Sequence, residues 1–136
     1  MRRVTADSNI LISALRYGGK PLTFLELALD GRFELFISDE ILEETLGVLR
    51  DKFKRASEEL AGDRAYIEAC TVRVVPTERL HVVPDDEDDN RVLECAVAGE
   101  CECVVTGDGD LRRMGSYEGI RILRIAEFLE RLTEVD

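Results

Sequence analysis

The sequence is short of the residues that build metal-stapled or membrane-spanning proteins. It has one histidine, His81, no tryptophan and four cysteines. A structural zinc site needs four well-spaced ligands, mostly Cys and His, so we expect none. No apolar run approaches the roughly 20 residues of a membrane span, and no basic-then-apolar signal peptide opens the chain. We therefore expect a cytoplasmic protein that does not enter a membrane and whose cysteines are reduced thiols.

The balance of charged and apolar residues bounds the class of protein. The 136 residues are 45% hydrophobic and 35% charged, which suits one globular domain over residues 1–136. Lys and Arg number 18 against 29 Asp and Glu, so the formal net charge is −11. An acidic surface of this kind argues against broad electrostatic capture of nucleic acid. It leaves open a nucleic-acid enzyme whose local acids are neutralised by metal cations.

Strand-like and helix-like segments alternate along the chain. Short apolar or β-branched segments occupy residues 3–6, 33–37, 71–75, 103–106 and 120–123, and stretches of helical periodicity lie between them. One helix-compatible stretch, residues 54–70, is interrupted by Gly62 and Asp63. The alternation predicts an α/β fold with a mainly parallel sheet of four to five strands. Right-handed crossovers would place helices on both faces, as in a Rossmann-like three-layer sandwich.

Residues 104–111 combine a buried strand with a tight turn that carries two carboxylates. Val104 and Val105 are β-branched, and the glycines that follow suit a turn. Asp108 and Asp110 come where a parallel strand meets its next helix, which is the edge at which open α/β sheets bind ligands. The alternative is that both aspartates only form the turn or cap the helix.

Further acids lie at equivalent places after other strands. Asp7 ends the first strand, and Ser8 or Asn9 can cap the helix that follows it. Glu44 borders the apolar face of the helix after the second strand, whereas Glu43 has more polar neighbours. The alternative for both glutamates is a solvated acidic first turn that complements the helix dipole.

Five consecutive acids, residues 85–89, open a later helix. One or two acids there would be ordinary capping and dipole compensation. Five repel one another, so a cation is a reasonable inference. Asp89 lies at the start of the helix, whereas Asp85 and Asp86 precede it. We expect Asp85 and Asp86 to face solvent and to be dispensable.

A doubly wound sheet could gather these sequence-distant acids at one edge. The set comprises Asp7, Glu44, Asp89 and Asp108, with Asp110 as a candidate fifth member. Two unit charges ~4 Å apart repel by about 4 kcal/mol at an effective dielectric near 20. Hard divalent cations relieve this repulsion, and Mg²⁺ binds through a few carboxylates together with substrate phosphates. The pattern therefore predicts a metal site that acts on a phosphodiester.

The motifs, taken together, resemble the PIN-domain family, particularly its single-domain, VapC-like group of toxin components of toxin–antitoxin systems. The matching motifs are, in chain order, Ala6-Asp7-Ser8-Asn9-Ile10-Leu11, then Ser38-Asp39-Glu40-Ile41-Leu42-Glu43-Glu44, then Asp88-Asp89-Asn90 with Leu93, Cys95 and Ala96, and Val105-Thr106-Gly107-Asp108-Gly109-Asp110-Leu111. Each motif is weak alone, but their order and spacing together are fairly specific. The resemblance covers nearly the whole chain.

The resemblance implies a metal-dependent endoribonuclease that hydrolyses RNA phosphodiester bonds and leaves a 5′-phosphate. Asp7, Glu44, Asp89 and Asp108 match the family's catalytic, metal-binding acids, and Asp110 is a supporting metal ligand. The implied cofactor is Mg²⁺ or Mn²⁺. The match leaves Glu43 as the alternative to Glu44, and Asp88 as the alternative to Asp89.

The resemblance also implies supporting residues and partners. Asn9 and Thr106 match the supporting polar positions, and Arg112 and Arg113 are candidates for contact with substrate phosphate. The implied partners are an RNA substrate, an antitoxin protein and a second copy of the chain in a homodimer.

Other classes of protein fit the residues less well. A receiver domain would place a lysine at a late strand end, and no lysine stands near residues 104–111 or 122–124. A calcium loop starting at Asp86 would have Arg91 in place of its glycine and Val97 in place of its last glutamate. The serious alternative is a catalytically weak PIN-fold module that binds RNA or a protein partner. The complete set of acids disfavours it.

Overall fold

Strands and helices alternate along the folded chain. The computed structural model describes residues 1–84 and 86–135, so Asp85, in the acidic run, lies outside the described residues. The strands are β1 (Arg3–Ala6), β2 (Glu34–Ile37), β3 (Val72–Arg73), β4 (Cys103–Val105), β5 (Ser116–Tyr117) and β6 (Ile120–Leu123). The helices are α1 (Ser8–Tyr17), α2 (Gly19–Leu29), α3 (Asp39–Asp51), α4 (Ser57–Cys70), α5 (Glu87–Ala98), α6 (Gly109–Met114) and α7 (Ile125–Val135). Within the described ranges, no helix is long and apolar enough to cross a membrane.

The strands form a mostly parallel sheet in the order β3-β2-β1-β4-β6-β5. Only the β5–β6 pair is antiparallel among these strands. The strand order reverses between β1 and β4, because the chain proceeds from β1 to β2 and β3 on one side and returns on the other. Ala6 lies opposite Val105 in this pair, so Asp7 and Thr106 leave the sheet side by side. A reversal of this kind is where open α/β sheets bind ligands.

Three phenylalanine rings pack together in the core. The rings of Phe24, Phe33 and Phe128 form a triangle with centroid separations of 5.0, 5.4 and 4.9 Å. All four cysteines are free and buried. Burial raises the pKa of Cys95 to about 11 and that of Cys103 to about 12, so these thiols stay protonated and pack as small apolar groups.

Helix α4 corrects one expectation from the sequence. The predicted interruption at Gly62 and Asp63 is wrong, because α4 continues without a break through both residues. Asp63 is only 7% exposed and accepts two hydrogen bonds of 3.0 Å from the Arg55 guanidinium. Ile67, one turn later, is fully buried. This packing offsets the roughly 1 kcal/mol that an interior glycine costs relative to alanine.

Two short strands set the edges of the sheet. The predicted strand over residues 71–75 is reduced to β3, which has two residues. At the other edge β5, which the sequence did not predict, pairs with β6 and brings the described sheet to six strands. Glu118 and Gly119 connect them, with φ angles of 48° and 84°. Two consecutive positive φ angles give a turn whose twist matches a two-residue hairpin.

Buried polar side chains fasten the segment before α5 to that helix. Asn90 Oδ1 accepts hydrogen bonds of 2.8 Å from the backbone N–H groups of Val82 and Val83. Glu94 is 2% exposed and accepts a hydrogen bond of 2.7 Å from the N–H of Leu80. These bonds hold the chain immediately before the acidic run and immediately after it. The start of α5 is therefore fixed in position.

Candidate active site

Asp7 is held at the reversal of the sheet by hydrogen bonds to both of its carboxylate oxygens. It is the N-cap of α1, where its Oδ1 accepts the N–H of Ile10 at 3.1 Å. Its Oδ2 accepts a hydrogen bond from the hydroxyl of Thr106, the residue after β4. The same hydroxyl accepts the N–H of Asp108 at 2.9 Å. Thr106 thus links the acid after β1 to the acid-bearing turn after β4.

Asp108 also caps a helix. Its Oδ1 accepts the N–H groups of Asp110 and Leu111 at 2.8 and 3.1 Å, at the start of α6. The capping alternative raised by the sequence is therefore confirmed for Asp108 as a local role. Capping engages one oxygen and does not remove the negative charge, so it is compatible with a further role. Asp110 is exposed and pairs with Arg113.

The acidic run brings one buried and one half-buried aspartate to the site. Asp86 is the N-cap of α5, and its Oδ1 accepts the N–H of Asp89 at 3.1 Å. Asp89 is 5% exposed, and its buried Oδ2 has no hydrogen-bond partner. Asp88 is exposed at the edge of the same pocket. The structure thus distinguishes Asp89 from its sequence neighbour by burial.

Glu44 and Glu43 lie on different sides of α3. Glu44 is half-buried and lines the acidic pocket. Glu43 is exposed and forms an ion pair of 2.9 Å with Arg64 on α4. Glu44 is near Asp88 and Ser8, both of which act on its pKa. Of the two glutamates, only Glu44 faces the other acids.

These side chains line a small acidic pocket with a volume of about 90 Å³. Its walls are formed by Asp7, Ser8, Asn9, Glu44, Asp86, Asp88, Asp89, Val92 and Asp108. Within it and at its edge, single carboxylate oxygens of Asp86, Asp89, Asp108 and Asp110 lie within 4.8 Å of one another. Asp7 and Glu44 line the pocket but do not belong to this group of four. We call the set of Asp86, Asp89, Asp108 and Asp110 the aspartate cluster.

Asp86 corrects a second expectation from the sequence. It was expected to face solvent, yet it is half-buried, lines the pocket and belongs to the aspartate cluster. The physical reason is its capping geometry, which turns its carboxylate towards the first turn of α5 and hence towards Asp89. The spacing of three residues between Asp86 and Asp89, typical of an N-cap and the N–H it binds, is the signal that could have revealed this.

The pocket raises the pKa of three of its acids, Asp7, Asp89 and Glu44. Burial, followed by the charges of Asp108 and Asp86, raises the pKa of Asp7, while hydrogen bonds from Thr106 and Ile10 partly oppose the rise. Burial and the neighbouring acids raise the pKa of Asp89 to about 8.

The same two causes act on Glu44. Burial and the carboxylate of Asp88 raise the pKa of Glu44 to about 7, against a lowering hydrogen bond with Ser8. Such shifts mean that the acids of this pocket repel one another when ionised. A proton or a cation relieves that repulsion.

The donor set fits a hard divalent cation. The aspartate cluster offers only carboxylate oxygens, which are the ligands that Mg²⁺ prefers. The unpartnered Oδ2 of Asp89 is the decisive atom, because a buried ionised oxygen without a partner is costly. A cation between Asp89, Asp86 and Asp108 would supply that partner.

Other residues proposed from the sequence lie around this pocket. Asn9 is exposed at its wall, and Thr106 is fully buried beneath it. Arg112 and Arg113 do not line the acidic pocket but a neighbouring groove, to which Arg124 also contributes. Arg124 follows β6, and only the pairing of β6 with β4 brings it near this region. Sequence reasoning therefore had no local signal for it.

The fold and the pocket together define a three-layer α/β protein with an acidic centre at the reversal of its sheet. The sequence profile of the PIN domain matches residues 3–110. The chain belongs to the PIN domain family, whose members are generally nucleases. The predicted family is thereby confirmed, and its fold agrees with the observed sheet and helices.

A solved structure is similar to the chain over almost its full length. The crystal structure of PAE2754 from Pyrobaculum aerophilum matches it with a TM-score of 0.65 and 14% sequence identity, over 98% of this chain and 90% of that one. At this identity the likeness shows the fold alone. No curated protein matches the chain significantly.

Proposed function

We propose that the protein is a divalent-metal-dependent endoribonuclease that hydrolyses RNA phosphodiester bonds with Mg²⁺ or Mn²⁺. The observation that carries this proposal is the buried, unpartnered Oδ2 of Asp89 within the aspartate cluster. A nuclease-like fold and an all-oxygen donor set at the reversal of the sheet support it.

The acids of the pocket would have different roles, which follow from their surroundings. Asp89, Asp86 and Asp108 would hold the cation, which when bound polarises the substrate phosphate and activates water for in-line attack. Asp7 is fixed by hydrogen bonds to both oxygens, so its carboxyl group is held at a constant position beside the cluster. Glu44 has a pKa raised to about 7. Its carboxylate is therefore suited to take up or release a proton near neutral pH.

The biological setting that we propose is that of a toxin in a toxin–antitoxin system. The resemblance of the sequence motifs to the VapC-like group supports this setting, as does membership of the PIN family. RNA would be the substrate in the cytoplasm, an antitoxin protein the inhibitor and a homodimer the working form. Induced expression of the wild type should arrest growth of a bacterial host, and expression of Asp89→Asn should not. Equal growth of the two strains would contradict the toxin role.

Cleavage of end-labelled RNA is the direct test of the proposed activity. The wild type should cut RNA with Mg²⁺ or Mn²⁺ and stop in EDTA. Asp7→Asn and Asp89→Asn should lose at least about a hundredfold in rate, in line with the loss of charge that stabilises a transition state. Glu43→Gln, an exposed neighbour of the site on α3, is the matched control and should cut at the wild-type rate. Equal cutting by wild type and Asp7→Asn would show that a contaminating nuclease is responsible.

A further inference from the structure

A groove with a volume of about 560 Å³ adjoins the acidic pocket. It is lined by Gly109, Arg112, Arg113, Ile122, Arg124 and Glu127. We call it the arginine groove. Gly109 lies between Asp108 and Asp110 in the sequence, and both aspartates belong to the aspartate cluster. The arginine groove therefore begins at Gly109, which directly follows Asp108 of the acidic pocket.

The arginines of this groove differ in whether they already have a partner. Arg113 pairs with Asp110 and lies over Gly109, where a Cβ would meet its guanidinium at 3.1 Å. Arg112 and Arg124, by contrast, form no ion pair with any residue in ranges 1–84 and 86–133, the side chains that the structure describes. Two guanidinium groups without a carboxylate partner among those described side chains thus line one concavity in a chain of net charge −11.

The carboxylate in the groove has a local task. Glu127 Oε1 accepts the backbone N–H of Arg124 at 3.4 Å, as the returning side chain of a capping box does at the start of a helix. Glu127 therefore serves the start of α7, and its charge only partly offsets the three arginines. The groove keeps an excess of positive charge beside a pocket that is strongly negative.

The chemistry that suits this groove is a chain of phosphodiesters. A guanidinium presents a planar fork of donors that matches phosphate oxygens in pairs. The only apolar residue among the described lining is Ile122, and no aromatic ring is present there for bases to stack on. Contacts of this kind position a nucleic acid without reading its sequence. The acidic pocket alone would repel such a chain, so an adjoining positive groove supplies an attraction that the pocket lacks.

We propose that Arg112 and Arg124 hold the phosphodiester backbone of an RNA strand on the side of the scissile bond where α6 and β6 lie. This inference rests on the proposed ribonuclease function and adds to it a substrate subsite made of these two arginines. Arg113 is not a primary phosphate contact, because Asp110 already engages its guanidinium.

Binding measured without cleavage tests the subsite independently of activity. A short fluorescent single-stranded RNA is titrated with protein in EDTA at low salt, and anisotropy is followed over a salt series. Arg112→Gln and Arg124→Gln should each raise the Kd about three- to tenfold. Each should also reduce the slope of log K against log salt by about 0.7, the value for one lost phosphate contact on a single strand.

Two further variants test whether the weaker RNA binding reflects only a general loss of positive charge or of folding. Arg121→Gln removes an exposed arginine from β6 outside the groove and should leave the Kd within about twofold. Arg124→Lys keeps the positive charge but loses the bidentate guanidinium. Compared with Arg124→Gln, it should therefore restore the salt dependence of binding more fully than the affinity for RNA. Equal weakening by Arg121→Gln, or no binding of RNA by the wild type, would overturn the subsite. Competition by an acidic peptide as effective as that by RNA would also overturn it, in favour of a protein partner.

Kinetics in Mg²⁺ separate failure of the subsite from failure of the proposed function. Arg112→Gln and Arg124→Gln should raise KM for RNA and leave kcat close to the wild-type value, because they act on binding away from the reacting bond. Unchanged KM in both variants, with active wild type, would refute the subsite and leave the ribonuclease standing. RNA binding that depends on both arginines, with no cleavage by wild type, would refute the ribonuclease and leave the subsite standing.

Discussion

Asp7 and Thr106, which follow neighbouring strands, are joined by a hydrogen bond from the Thr106 hydroxyl to the Asp7 carboxylate. Both side chains are buried, and the same hydroxyl accepts the N–H of Asp108. One hydroxyl thus fixes two acids that come from opposite ends of the sequence. It also lowers the pKa of Asp7, against the stronger effect of burial.

Replacement of this hydroxyl should disturb both stability and metal binding. Thr106→Val keeps the shape but leaves the N–H of Asp108 and the Oδ2 of Asp7 without a hydrogen-bond partner. We expect a loss of about 1–3 kcal/mol in the free energy of unfolding, measured by urea denaturation in EDTA. The stabilisation by Mn²⁺ should also decrease, because Asp7 becomes harder to ionise. Thr106→Ser keeps the hydroxyl and should retain the metal response. A Thr106→Val protein as stable and as responsive as wild type would contradict the bridging role.

Asp86 should behave as a metal ligand and not as a surface acid. Asp86→Asn keeps the N-cap of α5, since asparagine caps a helix as well as aspartate does, but it removes a charge from the aspartate cluster. We expect the rise of Tm with Mn²⁺ to be clearly smaller than in wild type. Glu87→Gln, next to it in sequence and 80% exposed, is the control and should keep the full rise. If the two variants respond alike, Asp86 is only a helix cap.

The stability of the metal-free protein should fall as pH rises from about 5 to about 8. In the folded state the pKa of Glu44 is raised to about 7 and that of Asp89 to about 8, against ordinary values of 4.5 and 3.8. Between these limits the folded chain holds protons that the unfolded chain releases. Raising the pH therefore favours unfolding, the opposite of the usual effect of a paired carboxylate.

Two neighbouring glutamates provide the matched variants for this pH dependence. Glu44→Gln removes one of the responsible groups, so its Tm in EDTA should fall less over the same pH interval. Glu43→Gln removes an exposed carboxylate paired with Arg64 and should follow the wild-type profile. A wild-type Tm that is constant or rises over this interval would show that the acids are not crowded in solution.

The sequence predicted the acids that lie just beyond the ends of two strands. Asp7 and Asp108 are placed by β1 and β4, which are short, buried and parallel, so their ends meet at one edge whatever the details of the helices. The preference for Glu44 over Glu43 followed from helical periodicity, which distinguishes the two sides of α3. These predictions depend on local patterns that the three-dimensional structure does not overrule.

The features that the sequence did not predict depend on contacts distant in the chain or on the capping of a helix. The role of Asp86 depends on the capping of α5, for which the sequence offers only the three-residue spacing between Asp86 and Asp89. Arg124 reaches its groove only because β6 pairs with β4. The unbroken α4 depends on the ion pair of Asp63 with Arg55, which outweighs the local preference of Gly62. For Arg124 and for α4, a tertiary contact decides against, or beyond, the local pattern.

Removal of one charge from the acidic pocket should stabilise the metal-free protein. The carboxylate of Asp108 raises the pKa of both Asp7 and Asp89, so its charge opposes theirs. Asp108→Asn keeps the shape and the cap of α6 while removing that charge. In EDTA we expect a gain of about 1 kcal/mol, seen as a Tm roughly 3–5 °C above wild type.

The Asp108→Asn variant should also be stabilised less by metal than the wild type is. A cation at ten times its dissociation constant stabilises wild type by about 1.4 kcal/mol, or roughly 4–6 °C, and Asp108→Asn should show only part of this. Asp110→Asn is the informative comparison, because Asp110 belongs to the aspartate cluster but is exposed and already paired with Arg113. Its Tm in EDTA should stay close to wild type, since an exposed ion pair contributes little. If instead Asp108→Asn is less stable than wild type in EDTA and equally responsive to Mn²⁺, Asp108 acts only as the cap of α6, and the repulsion between the acids is relieved by protons alone.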